Sequence, residues 1–280
     1  MKRSKIYGTG AGLLLAGAVV LGTGMFALGG RPGFYIDITG VHLDGAEGAG
    51  ITLKKSSLDE FTSAKIKLDY CDFHIIPSDE FAIEGQLAGR RGKPVIEIED
   101  GELILKEQAG KGVGAHFLSF GFSEFEESYM NLYVPKEVIL EQVEIDSDAG
   151  DISAENLAAE RLRIHAAYGD VELQDAEIDS AKVYLEAGNL EADCLLVTEL
   201  EAQNAYGDVE ISLQEDADEY SMDLKNEYGS IEAPSGGNLL EEDGQSVYQV
   251  KRSGDKSLQV FCEAGNIAIR LEFPQTVVLK

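Results

Sequence analysis

Ala149-Gly150-Asp151-Ile152, Tyr168-Gly169-Asp170-Val171, Ala187-Gly188-Asn189-Leu190, Tyr206-Gly207-Asp208-Val209, Tyr228-Gly229-Ser230-Ile231 and Ala264-Gly265-Asn266-Ile267 are six versions of one phrase. Their glycines stand 19, 19, 19, 22 and 36 residues apart. A fixed period of this size marks an array of supersecondary units. A degenerate copy lies upstream at Tyr70-Cys71-Asp72-Phe73, after Ile66 and Leu68.

Aligned on the glycine, the copies form columns. Five places before it stand Ile145, Ile164, Val183, Ala202, Leu224 and Val260; two places after it stand Ile152, Val171, Leu190, Val209, Ile231 and Ile267. Four places after it come Ala154, Leu173, Ala192, Ile211, Ala233 and Ile269. Period-two alternation on both sides of a Gly-Asp or Gly-Asn turn predicts two short strands per repeat, each with one face inward. The glycines (Gly150, Gly169, Gly188, Gly207, Gly229, Gly265) supply a positive φ. Asp151, Asp170, Asn189, Asp208 and Asn266 are read as turn residues that bond the neighbouring backbone. A calcium β-roll would need a Gly-Gly-x-Gly-x-Asp nonapeptide, which this chain lacks.

One repeat cannot fold alone, because ordering nineteen residues costs more backbone entropy than four or five aliphatic side chains return. Successive coils must therefore stack. The expected fold is all-β, a right-handed parallel β-solenoid or rack-like stack of short strands, behind one N-terminal transmembrane helix. Six coils at about 4.8 Å give a body roughly 30 Å long. Two stretches break the rhythm. Glu107 to Ser128 carries Phe117, Phe120, Phe122 and Phe125, and reads either as a cap over one end of the stack or as an exposed aromatic patch. Pro234 to Ser257 is expected to end in a hairpin pairing Val247–Lys251 with Leu258–Cys262 through Ser253-Gly254-Asp255.

Location is written at the start of the chain. Lys2-Arg3-Ser4-Lys5 precedes a charge-free run from Ile6 to Gly30. Twenty-five residues at helical rise span roughly 37 Å, enough for a hydrocarbon core of about 30 Å. The three cations place the N-terminus in the cytoplasm. Residues 1–5 are then a cytoplasmic tail, 6–30 a membrane anchor, 31–59 a linker with the first strands, and 60–280 the repeat domain. A cleaved signal peptide ending near Ala27-Leu28-Gly29 is the alternative. Under either reading the repeat domain is extracytoplasmic, and under the first the protein is single-pass in the cell membrane.

The chain holds 51 acidic against 23 basic residues, a net charge of -28, and no tryptophan. Such a surface excludes nucleic acid as the main partner. An apolar content of 44% nevertheless allows a core. Cys71, Cys194 and Cys262 are odd in number and far apart, and read as small core residues rather than a disulfide framework or a zinc set.

Chemistry-bearing patterns are sparse. The repeat makes an outward column of Glu172, Glu191, Glu210 and Glu232, following Ser153. Carboxylates about 5 Å apart repel by roughly 0.8 kcal/mol per pair in water, a cost that a stacked core absorbs. The column is either a solvated face that blocks aggregation or a stripe for cationic peptides, Ca²⁺ or basic wall components. His42, His74, His116 and His165 form no HExxH and no nucleophile–base pattern, and no nucleotide loop exists. The chain therefore reads as non-catalytic and without a cofactor.

The Gly-Asp-Ile/Val phrases, Leu68-Asp69-Tyr70-Cys71-Asp72-Phe73-His74-Ile75-Ile76-Pro77-Ser78-Asp79, Gly101-Glu102-Leu103-Ile104-Leu105 and Tyr133-Val134-Pro135-Lys136 together resemble the bacterial "putative adhesin" β-strand-repeat family over about residues 60–280. That family is a domain of unknown function. Its rack-like relatives include membrane-anchored cell-envelope stress proteins, some of which sense or bind antimicrobial peptides. The resemblance implies a surface binding or scaffold role in adhesion or envelope stress and carries no catalytic residues. Cys71 departs from it by standing where the repeat glycine belongs. The alternatives are a regulatory partner of a membrane sensor, which is another membrane protein, and an exported polysaccharide-active β-helix enzyme.

Overall fold

The computed structural model describes residues 33–37, 40–44, 51–87, 92–108, 118–121, 128–242 and 244–271, with side chains for 51–87, 93–108, 128–242 and 244–271. The anchor run 6–30 and most of the Phe-rich stretch 107–128 lie outside the described residues. Among the described residues no helix is long and apolar enough to cross a membrane; the one helical element is the 3-10 turn Ala217–Glu219. The chain divides into two units. In the smaller, Gly33–Asp37 pairs antiparallel with Gly40–Asp44 on one side and Leu118–Gly121 on the other.

The larger unit is the repeat body. Each coil climbs a long arm, turns at its glycine, crosses a short arm, and turns again into the next rung. Neighbours on the long arm are, in order, Glu102–Gln108, Ser63–Leu68, Gln142–Ser147, Ala158–Tyr168, Glu177–Ala187, the second half of Leu190–Tyr206, Lys256–Ala264 and Tyr220–Tyr228, all parallel. The short arm runs Tyr129–Pro135, Asp72–Ser78, Ile152–Glu155, Val171–Gln174, the first part of Leu190–Tyr206, Val209–Leu213, Ile267–Leu271 and Ile231–Glu232. Side chains alternate as the pattern demands, and every inward residue of the three sequence columns is buried except Ala233, because that short-arm strand stops at Glu232.

Three details differ from the sequence reading. The degenerate copy at Cys71 is a full rung, so the corners number seven, not six. The last two copies also exchange places: Lys256–Ala264 lies between Leu190–Tyr206 and Tyr220–Tyr228. The expected hairpin of Val247–Lys251 on Leu258–Cys262 is not formed. Gln245–Val250 instead pairs antiparallel with Tyr220–Tyr228 and with Asn238–Glu242. The Arg252–Asp255 loop then carries the chain around the start of Tyr220–Tyr228, where the Arg252 N–H donates to Ser221 Oγ at 2.9 Å.

Burial and edge chemistry explain the exchange. Lys256–Ala264 buries Leu258, Val260 and Cys262 and gains two parallel neighbours in the interior, where the terminal place would give it one. The edge falls to Asn238–Glu242, exposed along its whole length and bearing Glu241 and Glu242, the charged type of edge that resists pairing with another chain. Lys256 fixes the insertion by bonding Glu215 and, at 2.7 Å, Glu219.

Candidate functional site

The glycine corners form one column in the order Cys71, Gly150, Gly169, Gly188, Gly207, Gly265, Gly229. Close approach requires glycine there. A Cβ on Gly188 would stand 1.9 Å from the Gly169 carbonyl oxygen, and Gly188 has φ +145. Gly229 lies outside the positive-φ set, against expectation, yet its Cβ would come 1.7 Å from the Gly265 oxygen. Cys71 is tolerated because it begins the column: the buried Glu107 carboxylate there accepts the N–H of Asp69 at 2.8 Å and of Tyr70 at 2.9 Å.

Beside the corners runs a side-chain ladder. Each Oδ1 of Asp72, Asp151, Asp170, Asn189, Asp208 and Asn266 accepts the backbone N–H one rung along, from Asp151, Asp170, Asn189, Asp208, Asn266 and Ser230, at 2.7 to 3.1 Å. These residues hold the turns by bonding backbone. A second corner column escaped the sequence reading. Asn156, Asp175 and Cys194, six places after their glycines, have φ near +51 to +52. Cys194 is therefore a half-buried corner residue rather than a core one, while Cys71 and Cys262 are buried and no disulfide joins the three. The 19-residue recurrence of Asn156 and Asp175 was the available signal, obscured because cysteine is unusual in the left-handed region.

The acidic column is present but interrupted. Glu172, Glu191 and Glu210 occupy adjacent rungs, following Ser153. Ala268 of the inserted coil separates Glu210 from Glu232, and Arg270 spans the gap, 3.0 Å from Glu210 and 3.6 Å from Glu232. Four of the seven corners also expose a tyrosine immediately before the glycine position: Tyr70, Tyr168, Tyr206 and Tyr228. The sequence shows Tyr-Gly in three of the six phrases, but their spatial order depends on the exchange of the last two coils.

Other polar clusters are structural in geometry. Glu84 accepts from Tyr133 Oη at 2.5 Å and Asn131 Nδ2 at 3.1 Å, and Lys55 lies 3.8 Å over the Tyr133 ring. The Tyr133 and Asn131 hydrogen bonds hold the Glu84 carboxyl below its ordinary value, and the same bond raises Tyr133. Lys182 donates to Glu201 at 2.8 Å, which lowers Glu201 and raises Lys182. Burial, then the Glu215 charge, pushes Tyr220 up to about 12, and its hydroxyl donates to the Val197 carbonyl at 2.9 Å. Burial pushes the Cys262 thiol up to about 11, the direction opposite to that of a reactive thiolate. His165 is half-exposed, 3.9 Å from Asp146, and His74 Nδ1 bonds Ser153 Oγ at 2.7 Å. A cleft of about 800 Å³ is lined by Phe61, Phe81, Glu60, Asp79, Pro135 and Val138 among others. Among the described residues no group of His, Cys, Asp and Glu is arranged to hold a metal ion.

Two stacked arms, a glycine at six of the seven corners and a side-chain ladder beside them are the shape of a toast rack. The Toastrack DUF4097 profile matches residues 63–201 and 195–270, most of the repeat body. The chain belongs to the Toastrack DUF4097 family. No curated protein matches it. Solved structures similar to it include a "putative cell adhesion protein" from Clostridium sporogenes, 14% identical, covering 80% of this chain and 100% of that one at a TM-score of 0.49. A "putative adhesin" from Bacteroides fragilis is 16% identical over 79% of this chain and 96% of its own, at 0.43. A "Putative lipid binding protein" from Parabacteroides distasonis is 12% identical over 80% and 97%, at 0.31.

Proposed function

We propose that this Toastrack protein is a non-catalytic, adhesin-like binding and scaffold module of the cell envelope, held by residues 6–30 with its repeat body outside the cytoplasm. The observation that carries the reading is the outer face of the short arm. There Glu172, Glu191 and Glu210 lie in register on adjacent rungs, with Asp170 and Asp208 two residues before the first and the last of them, so that carboxylates recur at backbone spacing. Many copies of one weak contact favour multivalent capture of a cationic partner, whether a basic peptide, Ca²⁺ or a basic wall component, over turnover of a small substrate. The run of three cations before an uncharged segment supports the orientation. Nothing in the acidic face suits nucleic acid.

Membrane fractionation joined to a pull-down of the intact protein from native membranes tests this. The expected result is a membrane-bound protein whose C-terminal epitope is cut by protease in intact cells and which brings down a basic envelope component. A C-terminus sheltered from protease in intact cells would overturn the placement. A sensor kinase as the main co-purifying species would favour the regulatory-partner role in envelope stress. Release of reducing sugar from wall material, lost on changing one acidic residue, would favour the enzyme.

A further inference from the structure

The corner edge holds a pattern that the chain order hides. In spatial order the residues immediately before the corner position are Tyr70, Ala149, Tyr168, Ala187, Tyr206, Ala264 and Tyr228, a strict alternation. It follows from the registers Tyr168 to Ala187, Ala187 to Tyr206, Tyr206 to Ala264 and Ala264 to Tyr228. In sequence order Tyr206 would be followed by Tyr228, so only the inserted coil makes the alternation regular. One place further back, the alanine rungs carry acids, Asp148, Glu186 and Glu263, whereas the Tyr168 and Tyr206 rungs carry Ala167 and Ala205. Asp69 and Glu227 likewise precede Tyr70 and Tyr228, so five of the seven rungs carry an acid at this place, every alanine rung among them. The tyrosines are 63%, 60% and 70% exposed at Tyr168, Tyr206 and Tyr228. Among the described residues none of Asp148, Glu186 and Glu263 is in an ion pair.

Two rungs separate consecutive tyrosines, about 9.6 Å. A cation midway between two such rings is within the roughly 6 Å reach of both, and the intervening rung carries an acid one residue before its alanine. Tyr168, Glu186 and Tyr206 make one such slot, Tyr206, Glu263 and Tyr228 the next, and Tyr70, Asp148 and Tyr168 continue the series. We infer that this edge is a docking rail for an extended basic polypeptide presenting one cationic side chain about every 9–10 Å. A polyproline II segment with a basic residue at every third position has that period, about 9.3 Å, and already holds the extended form. The inference rests on the reading of the body as a module for cationic partners, and it moves the contact from the short-arm carboxylates to the corner edge.

The test uses the full chain and two synthetic peptides of equal length, charge and composition. One repeats Lys-Pro-Pro; the other repeats Lys-Lys-Pro-Pro-Pro-Pro, which pairs the lysines and breaks the period. Titration calorimetry is expected to show tighter binding of the first. Tyr168→Ala/Tyr206→Ala/Tyr228→Ala should weaken it by about fiftyfold or more, the summed loss of five cation–π contacts over the three slots. The corresponding Tyr→Phe triple variant, which keeps the rings, should bind nearly as the parent does. Glu186→Gln/Glu263→Gln should also weaken binding. Equal affinity for the two peptides, or no affinity for either, would overturn the rail. So would binding that survives loss of the tyrosines and disappears only in Glu172→Gln/Glu191→Gln/Glu210→Gln, although that result would leave the acidic-face function standing. Retention of a neutral glycan in place of the basic peptide, through the same tyrosines, would overturn it as well.

Discussion

A methyl group at Gly188 has nowhere to go: its carbon would lie 1.9 Å from the Gly169 oxygen, a backbone atom that cannot swing aside. Gly244 makes the natural comparison. It too has a left-handed φ, +87, but an added Cβ meets nothing within 4 Å. Gly244→Ala should therefore cost only the left-handed penalty, about 1 kcal/mol, whereas Gly188→Ala should cost about 3 kcal/mol or more by prising two rungs apart. Urea unfolding of the two variants checks the difference. The glycine and Asp/Asn columns were legible in the sequence because each repeat states them in nearly the same letters. Asn156, Asp175 and Cys194 were not, since a left-handed corner can be filled by unlike residues when rung-to-rung bonds over-determine the backbone, as the Asn156 N–H to the Gln174 carbonyl does at 2.8 Å.

At the scale of a strand, Tyr220–Tyr228 shows what the inserted coil requires. Tyr220 is buried, its hydroxyl bonded to Val197 and its ring 5.6 Å from the Lys256 ammonium. Its proton is held to about 12 in the fold against 10.0 ordinarily. The native state thus binds a proton that the unfolded chain releases between those values. The contribution is complete below about pH 10 and lost as pH rises toward 12. Unfolding measured at about pH 9 and about pH 11 should show a steeper alkaline loss in the parent than in Tyr220→Phe, which has no proton to lose. Equal slopes would show that burial does not govern this hydroxyl. The strands themselves follow from period-two alternation, so Val183, Ala202 and Val260 could be placed inward from sequence. Pairing partners could not. Gln245–Val250 and Lys256–Ala264 have the alternation of a hairpin, and only competition for a two-sided parallel site sends Lys256–Ala264 to the far side of Tyr220–Tyr228.

For the molecule as a whole, the order of the rungs decides both the core and the surface. Sequence-order stacking would put Glu232 next to Glu210 and Tyr228 next to Tyr206, giving an unbroken acidic column and an irregular aromatic edge. The inserted coil instead breaks the acidic column at Ala268 and evens out the tyrosines. The chain's net charge of -28 and the acidic edge strand Asn238–Glu242 both oppose edge-to-edge pairing with another copy. The most direct measurement is disulfide trapping in a variant whose three native cysteines are replaced. Tyr206 and Ala264 are in register on adjacent rungs, about 4.8 Å apart, within the span a disulfide bridges. Tyr206 and Tyr228 are two rungs apart, beyond it. Mild oxidation should cross-link Tyr206→Cys/Ala264→Cys and leave Tyr206→Cys/Tyr228→Cys reduced; cross-linking of the second pair and not the first would contradict the inserted coil and everything built on it.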